Sequence, residues 1–462
     1  MTKPLDDAKT AEQALTEMFW ALIVVGWTIA AFLAWFLPQS KPGAVLGRFS
    51  YPQFLTAVLL TLFLASALMT VLRPRPKRRT VAFRIAAVWI GGISALVVAE
   101  AGCSLLPVDD LTNPWLMWSD DTIENGIDGL VWERKAHLKW HGRSTGAMAL
   151  KLGIPDPYAE IVTFQTDFEG FRNSRDLRRA DLIFIGDSFT EAGNVAEEDS
   201  FAQRVAVEMG VTCRNLGRIN YSPKEELIVL QKYGLRGQPR TVIWQICEHN
   251  DLPDQHDYDQ WIARGAPPIP LNSSAVSGLQ YRAWQLRSPT YRLFTSLRQQ
   301  ASWKFNAIFR DSDDMTHEIL FGDIPTFQQC AAGHPGWPSL AATIREGAEL
   351  LRDNDIHLIV VLIPMKIRAM VGPSTNFSDV TSWLLVKNVG HAREDTLAFF
   401  LRNLCDSLHV TLIDSTLELR ERTAAGELVY FPLDAHLSPP GHAVVANQIA
   451  MTLRQHDSVV PD

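Results

Sequence analysis

The stretch that decides the fold is Ala180–Thr190, ADLIFIGDSFT, in which a short apolar run ends abruptly on Gly-Asp-Ser. The run Ile183–Ile185 predicts a buried strand, because it is too short and too rich in β-branched residues to form a helix of its own. Gly186 allows the backbone to turn sharply where the strand ends. Ser188 then stands at the start of the next segment, where it is either a nucleophile or the N-cap of a helix.

The second informative stretch is Tyr430–Gln448, YFPLDAHLSPPGHAVVANQ, which places a carboxylate and an imidazole two residues apart. A serine nucleophile needs a base that takes its proton, and that base needs a third group that fixes its tautomer. His436 and Asp434 have the residue types for these two roles. Ser438 and the two prolines after it predict the start of a helix. His442 lies inside that predicted helix; it is the competing imidazole and is interpreted as a packing or capping residue.

Two further segments end in groups that can stabilise the negative charge of an acyl-transfer transition state. The segments VTCRNLG at 211–217 and TVIWQICEHND at 241–251 each predict a short strand followed by a loop. The backbone N–H groups of Ser188 and Gly217 and the side-chain amide of Asn250 would supply three donors to the carbonyl oxygen. Each such donor is typically worth about a hundred- to a thousandfold in rate.

Strands and helices alternate along this part of the chain. The predicted strands are at 181–185, 211–216, 241–247, 356–363 and 410–413, and the predicted helices are near 200–209, 223–233, 340–353, 394–408 and 441–454. Nearly apolar strands that alternate with helices indicate a parallel sheet covered on both faces. Ligands of such sheets bind beyond the carboxyl ends of the strands, which is where Ser188, Gly217 and Asn250 fall in this interpretation.

In these motifs the chain resembles the SGNH (GDSL-like) hydrolase superfamily. The matching pieces, which cover roughly residue 180 to the C-terminus, are GDSFT, NLG, EHND and DAHLSPPGH. The resemblance implies that Ser188 is the nucleophile, His436 the base and Asp434 the group that orients the base. It also implies that Ser188, Gly217 and Asn250 form the oxyanion hole. Serine acyl chemistry on esters needs no cofactor and no metal ion, so none is expected.

Three apolar stretches near the start of the chain, 18–37, 53–72 and 85–106, are each about long enough to cross a bilayer. A cleaved signal peptide is the alternative for the first, but acidic residues before it and the second stretch after it argue against cleavage. The loop 73–79, RPRPKRR, carries five basic residues, and such loops stay in the cytoplasm. We therefore expect a multi-pass anchor in the inner (cytoplasmic) membrane, with everything after Pro107 outside the cytoplasm.

These features divide the chain into three parts. We expect a transmembrane anchor at 1–107, a connector or accessory lobe at 108–179 and a catalytic domain at 180–462. An insertion at about 252–338 is long enough to shape a substrate pocket. The expected fold class is thus α/β, with three N-terminal transmembrane helices followed by a parallel-sheet α/β/α SGNH-like domain that carries a large insertion.

The composition narrows the function further. A net charge of −8 and the absence of a basic stripe beyond the loop 73–79 argue against nucleic acid as a partner. The spacing of the five cysteines fits no zinc pattern, and a disulfide that involves Cys330 or Cys405 stays open.

The acidic stretch 251–259 is interpreted as a solvated loop rather than a metal site. Lys366 is either an anion contact at the pocket rim or an ordinary surface lysine.

The sequence therefore leads to the hypothesis of a membrane-anchored serine esterase or O-acyltransferase. It would act through an acyl-serine intermediate on acetyl or other ester-linked acyl groups of an extracytoplasmic glycan or lipid. Hydrolysis and transfer use the same catalytic residues, so both stay open. The expected partners are the acylated glycan or other ester, the lipid bilayer and, in the case of transfer, a membrane-bound acyl donor protein. The alternative is an inactive scaffold that binds a polysaccharide or an assembly partner, against which the intact Ser, His and Asp set argues.

Overall fold

The computed structural model describes residues 74–104, 129–152, 156–265, 307–321, 333–372, 374–377 and 397–455, together with short pieces before residue 124. The chain divides into two compact units, Met1–Ala99 and Glu100–Asp462.

In chain order the strands are β1 (Ala44–Val45), β2 (Phe49–Ser50), β3 (Thr122–Ile123), β4 (Glu133–Arg134), β5 (Lys139–Ser144), β6 (Glu160–Gln165), β7 (Leu182–Ile185), β8 (Cys213–Asn215), β9 (Thr241–Cys247), β10 (Ala307–Arg310), β11 (Thr316–Ile319), β12 (His357–Ile363), β13 (Thr375–Phe377) and β14 (Thr411–Asp414). The α-helices are α1 (Arg75–Ser104), α2 (Ala147–Leu152), α3 (Ser188–Glu191), α4 (Phe201–Met209), α5 (Pro223–Val229), α6 (Asp251–Ala263), α7 (Trp337–Asp353), α8 (Lys366–Met370), α9 (Leu397–Leu408), α10 (Thr416–Ala424) and α11 (Pro439–Gln455).

The expected transmembrane anchor needs correction. The stretches 18–37 and 53–72 lie outside the described residues, apart from a few single positions of the second. Residues 85–104 of the third stretch fall on α1, whose first ten residues include five basic ones and whose apolar run meets Glu100. None of the described helices has both the length and the apolar character that a bilayer crossing requires. The three transmembrane helices, the inner-membrane location with an extracytoplasmic catalytic domain, and the bilayer as a partner are therefore not supported.

The second unit contains a five-stranded sheet in the order β14-β12-β9-β7-β8, and all of its neighbouring strands pair in parallel. Counted along the chain, the order of these five strands is 2-1-3-4-5, so the direction of winding reverses between β7 and β9. Crevices at such a reversal are the usual ligand sites of open α/β sheets. The predicted parallel sheet is thus present, and its switch point lies next to the Gly-Asp-Ser turn.

Side chains of the central strands fill two cores, one on each face of the sheet. In β7, Leu182 and Phe184 belong to the core that also contains side chains of α4 and α11. Ile183 and Ile185 point the other way and join the core with α5, α7 and α9. All residues of β7 and β9 are buried, because helices cover both faces. This double covering explains why these strands are apolar at nearly every position.

The described parts of the 252–338 insertion contain regular structure. The acidic stretch 251–259, interpreted above as a solvated loop, lies instead on α6, and Asp251 at its start is fully buried. Strands β10 and β11 form an antiparallel pair, which β13 extends to a three-stranded sheet. Within the described residues, no group of three acidic, histidine or cysteine side chains is arranged to hold a metal ion.

Helix α7 packs closely on the central sheet at Gly347, and this contact gives a stability prediction. A Cβ at Gly347 would lie 2.4 Å from Cζ3 of the buried Trp244. Gly347→Ala gains about 1 kcal/mol of helix propensity, but overpacking against a fixed ring costs about 1–3 kcal/mol. We therefore expect a net loss of about 1 kcal/mol in the free energy of unfolding, measured by urea denaturation.

The matched control is Glu349→Ala on the exposed side of the same helix. We expect its free energy of unfolding to stay within about 0.5 kcal/mol of the wild type. A Gly347→Ala protein more stable than the wild type would contradict the close packing of α7 on Trp244.

Candidate active site

The turn after β7 places Ser188 at the first position of α3. A Cβ at Gly186 would lie 2.3 Å from Thr190 Oγ1 and 2.4 Å from Gln245 Oε1, so only glycine fits there. The N-cap is Asp187, whose side chain accepts a hydrogen bond from the Phe189 N–H at 2.9 Å. The capping role considered for Ser188 therefore belongs to Asp187. The N–H of Ser188 is one of the early helical donors that have no acceptor within the helix.

Three side chains from the two ends of the domain meet at this turn. Ser188 Oγ lies 2.8 Å from His436 Nε2, and His436 Nδ1 lies 2.6 Å from Asp434 Oδ1. An Nδ1–H that donates to the carboxylate leaves Nε2 as the nitrogen that accepts a proton from the serine hydroxyl. The structure thus brings together the predicted nucleophile, base and orienting group, which are separated by up to 248 residues in sequence.

The ionisation of the imidazole depends on its carboxylate partner. Burial by itself lowers the pKa of His436, but the charge and the hydrogen bond of Asp434 outweigh burial and raise this pKa above 6.5. For Asp434, burial raises the pKa, whereas the charge and hydrogen bonds of His436 lower it to a net value below the ordinary 3.8. The pair therefore favours an ionised Asp434 and a His436 that readily holds a proton.

The competing imidazole, His442, has a different environment. Its Nδ1 accepts a hydrogen bond from the N–H of Phe201, the first residue of α4, at 3.3 Å, and its ring packs 5.5 Å from the Phe201 ring. Burial, reinforced by Arg172, lowers the pKa of His442 to about 3. His442 therefore caps and packs, in agreement with the sequence-based interpretation.

Gly217, the second predicted oxyanion donor, lies against the nucleophile helix. A Cβ at this position would lie 2.5 Å from both Thr190 Cβ and the Glu191 nitrogen, so glycine permits the contact with α3. The Gly217 N–H donates to Asn215 Oδ1 at 2.9 Å. Its use as an oxyanion donor requires a substrate oxygen to replace the Asn215 side chain, and the role stays a prediction.

Asn250, the third predicted donor, directly precedes α6 and bridges two carboxylates. Its Nδ2 donates to Asp187 Oδ2 at 2.9 Å and to Asp254 Oδ2 at 2.7 Å. Burial raises the pKa of Asp254 to about 7. Because both amide hydrogens of Asn250 already have acceptors, an oxyanion has to displace one carboxylate, so this role also stays a prediction.

Two groups that hold Asp434 were not identified from the sequence. The Ala147 N–H, at the start of α2, donates to Asp434 Oδ2 at 3.2 Å. Lys366 is buried beneath the Asp434 loop and contacts its backbone, so neither of the surface interpretations of this lysine is right. Nothing in the sequence marks a backbone donor such as Ala147. The position of Lys366 three residues after a nearly apolar strand was the only available signal.

Cys213, Cys247 and Cys405 are thiols and form no disulfide with one another. Cys213 and Cys247 lie on β8 and β9, and Cys405 lies buried in α9. Burial raises the pKa of Cys213 and of Cys405 to about 12. The sequence left a disulfide of Cys330 or Cys405 open. Cys405 is a thiol in the structure, and Cys330 lies outside the described residues.

The structure thus places a serine at the turn after the first strand of a 2-1-3-4-5 sheet and joins it to an Asp-x-His loop that precedes the last helix. Comparisons with known proteins found no matching family model and no match among curated proteins. Among solved structures, those similar to this chain include a GDSL-like lipase and the acetylxylan esterase Axe2.

Three of these structures illustrate the extent of the similarity. The acetylxylan esterase Axe2 from Geobacillus stearothermophilus is 13% identical, with 61% of this chain and 94% of that chain covered and a TM-score of 0.31. A GDSL-like lipase from Bacteroides thetaiotaomicron is 10% identical, with 60% and 89% covered and a TM-score of 0.28. LAE5, an alpha/beta hydrolase from the metagenome of Lake Arreo, is 12% identical, with 61% and 97% covered and a TM-score of 0.30. At these values, the function has to be inferred from the residues of this chain.

The raised pKa of His436 predicts the pH dependence of catalysis. Only the neutral imidazole accepts the serine proton, so kcat/KM should rise with pH through a midpoint above 6.5. Asp434→Asn removes the charge that raises this pKa, so the midpoint should move to lower pH while kcat falls about 10⁴-fold. The pH profile of p-nitrophenyl acetate hydrolysis measures both effects.

Asp313→Asn, on an exposed loop, is the control and should leave the pH profile unchanged. A midpoint that does not move in Asp434→Asn would mean that Asp434 does not control the ionisation of His436.

The predicted oxyanion role of Asn250 gives a separate test. Asn250→Ala should lower kcat about 10²–10³-fold with little change in KM, because the amide would act on the charge that develops in the transition state. Asn354→Ala at the end of α7 is the control, since its amide donates to the Leu350 carbonyl of that helix. A kcat of Asn250→Ala equal to that of the control would remove Asn250 from the oxyanion hole.

Proposed function

We propose that this chain is a serine hydrolase of ester bonds that works through a covalent acyl-serine intermediate. The observation that carries the proposal is the 2.8 Å contact between Ser188 Oγ and His436 Nε2. The 2.6 Å contact from His436 Nδ1 to the buried Asp434 supports it. In this proposal Ser188 is the nucleophile, His436 the general base and Asp434 the group that holds the imidazole.

The reaction follows from these positions. Ser188 Oγ attacks the ester carbonyl carbon while its proton passes to His436 Nε2, and the carbonyl oxygen becomes an oxyanion. The tetrahedral intermediate collapses when the bond to the alcohol breaks, and the departing alkoxide takes the proton from His436. A water molecule then attacks the acyl carbon and gives its proton to His436. The bond from that carbon to Ser188 Oγ breaks, the serine oxygen takes the proton back from His436, and the carboxylic acid leaves. The pKa of His436 is raised by Asp434, Asp187 and Glu191, which stabilises the imidazolium of each step.

Three donors are proposed for the oxyanion. The Ser188 N–H has no acceptor within α3 and comes from the residue that attacks. The Gly217 N–H and the Asn250 amide would join it once a substrate oxygen replaces their present acceptors, the side chains of Asn215 and of Asp187 or Asp254. These two donors lower the barrier most if replacing their present acceptors by the substrate oxygen costs little free energy.

For the substrate we propose an acylated glycan or a similar ester with a small acyl group, of which acetyl is the favoured one. Ser188 and His436 are only 7% and 8% exposed, and this limited access favours a small acyl group over a long chain. The resemblance to the SGNH class implies the same kind of substrate. Transfer of the acyl group from a donor protein to a sugar hydroxyl uses the same residues and is the second form of the proposed reaction.

A fluorophosphonate probe tests the proposed nucleophile, because it reacts covalently with an activated serine. We expect labelling of the wild type, none of Ser188→Ala, and a fall in p-nitrophenyl acetate turnover of about 10⁶-fold in that variant. Labelling is followed by gel fluorescence and located by peptide mass spectrometry.

Ser407→Ala in α9 is the matched control and should label like the wild type, since its Oγ donates to the Leu404 carbonyl of the same helix. A folded wild type that neither labels nor hydrolyses acetyl esters would favour the alternative of an inactive binding scaffold. Mass spectrometry of products formed with an added sugar acceptor separates transfer from hydrolysis.

A further inference from the structure

Lys366 begins α8, three residues after β12 ends. Its side chain is only 2% exposed, although lysine ammonium groups are rarely buried unless they have partners. The proposed reaction assigns no task to this residue. A buried cation beside the Asp434 loop therefore calls for a physical explanation.

The ammonium donates to backbone carbonyls rather than to a carboxylate. The acceptors of Lys366 Nζ are the carbonyl oxygens of Leu320 at 2.6 Å, Phe431 at 2.7 Å, Pro432 at 2.8 Å and Asp434 at 2.9 Å. Three of these carbonyls belong to the four-residue segment 431–434. An ammonium group has three hydrogens, so these four acceptors are enough to engage every N–H donor of Lys366.

This contact determines the shape of the segment that ends in Asp434. Carbonyl oxygens that converge on one point repel one another unless a donor or cation lies between them. The segment closes on itself through the Asp434 N–H to the Phe431 carbonyl at 3.3 Å and the Phe431 N–H to the His436 carbonyl at 3.2 Å. Without the ammonium, we expect this tight turn to open and Asp434 to move relative to His436.

Burial and neighbouring carboxylates act in opposite directions on the charge of Lys366. Burial lowers the pKa of Lys366 to about 7, while the Asp434 and Asp156 carboxylates act in the opposite direction. Asp156 in turn accepts the N–H groups of Gly146 and Tyr158 at 2.7 and 3.0 Å. Asp156 thus links the electrostatic surroundings of Lys366 to the segment that precedes α2.

We propose that Lys366 is a positioning residue, which holds the segment 431–434 in the conformation that aims Asp434 and His436 at Ser188. The inference rests on the proposed function, since it assigns Lys366 a role in that reaction. Lys366 acts only through the backbone of the loop, so it should affect the chemical step and not substrate binding.

The test is Lys366→Met, which keeps the length of the side chain and removes its donors and charge. We expect kcat for p-nitrophenyl acetate to fall about 10²-fold with KM unchanged, because small displacements of catalytic groups cost about that much. The low-field proton resonance of His436 Nδ1 should shift or disappear, whereas a purely structural role would leave it in place. Lys224→Met is the matched control, since Lys224 pairs with Glu346 at the surface, and it should resemble the wild type.

Lys366→Gln is the second variant, which retains two N–H donors without the charge, and its kcat should lie between those of the wild type and Lys366→Met. The proposal is overturned if folded Lys366→Met keeps the wild-type kcat and His436 resonance. It is also overturned if both variants fail to fold where Lys224→Met folds, because Lys366 is then a folding residue. If Ser188→Ala retains full activity, the proposed function fails, and the His436 resonance alone decides the role of Lys366.

Discussion

The hydrogen bond between Ser188 and His436 is the interaction on which the site depends, and it joins two pieces of backbone from opposite ends of the domain. Packing keeps these pieces in register. Helices α4 and α11 share one hydrophobic core, and His442 on α11 accepts the Phe201 N–H of α4. The amide of Asn194, just beyond α3, donates to the Leu437 carbonyl at 3.2 Å. The apolar core therefore sets the distance at which the two catalytic groups meet.

Three buried carboxyl groups, those of Asp187, Asp251 and Glu226, lie near one another beside the Gly-Asp-Ser turn. Burial raises the pKa values of Asp187, Asp251 and Glu226, and each lies near other carboxylates. Such groups are costly to ionise away from water. Asp434, Asp187 and Glu191 raise the pKa of His436 and so favour its imidazolium form, which is the form that appears when serine gives up its proton. Burying the Asp187 carboxylate costs free energy in the folded state. The same carboxylate stabilises the His436 imidazolium that forms in the proposed reaction.

Local patterns in the sequence predicted most of the sheet, because a strand buried on both faces is apolar at nearly every position. The order of motifs likewise identified Ser188, Asp434 and His436, which the structure brings into contact. What the sequence did not predict depends on long-range contacts. The acidic stretch 251–259 is a helix with Asp251 in the interior, and Lys366 is buried by a loop almost seventy residues away. The prediction of a membrane anchor was wrong. It rested on the number of apolar residues in each stretch and did not include the basic residues with which α1 begins.

The contact between Ala147 and Asp434 changes what counts as the domain. The sequence motifs begin near residue 180, yet a backbone donor from α2 reaches the carboxylate of the site, and a Cβ at Gly146 would lie 2.5 Å from the Leu433 carbonyl. The segment before the sheet is therefore not a spacer that can be exchanged freely. A domain transplanted without the segment that contains Gly146 and Ala147 would lose the donor to Asp434 Oδ2 and the packing against Leu433.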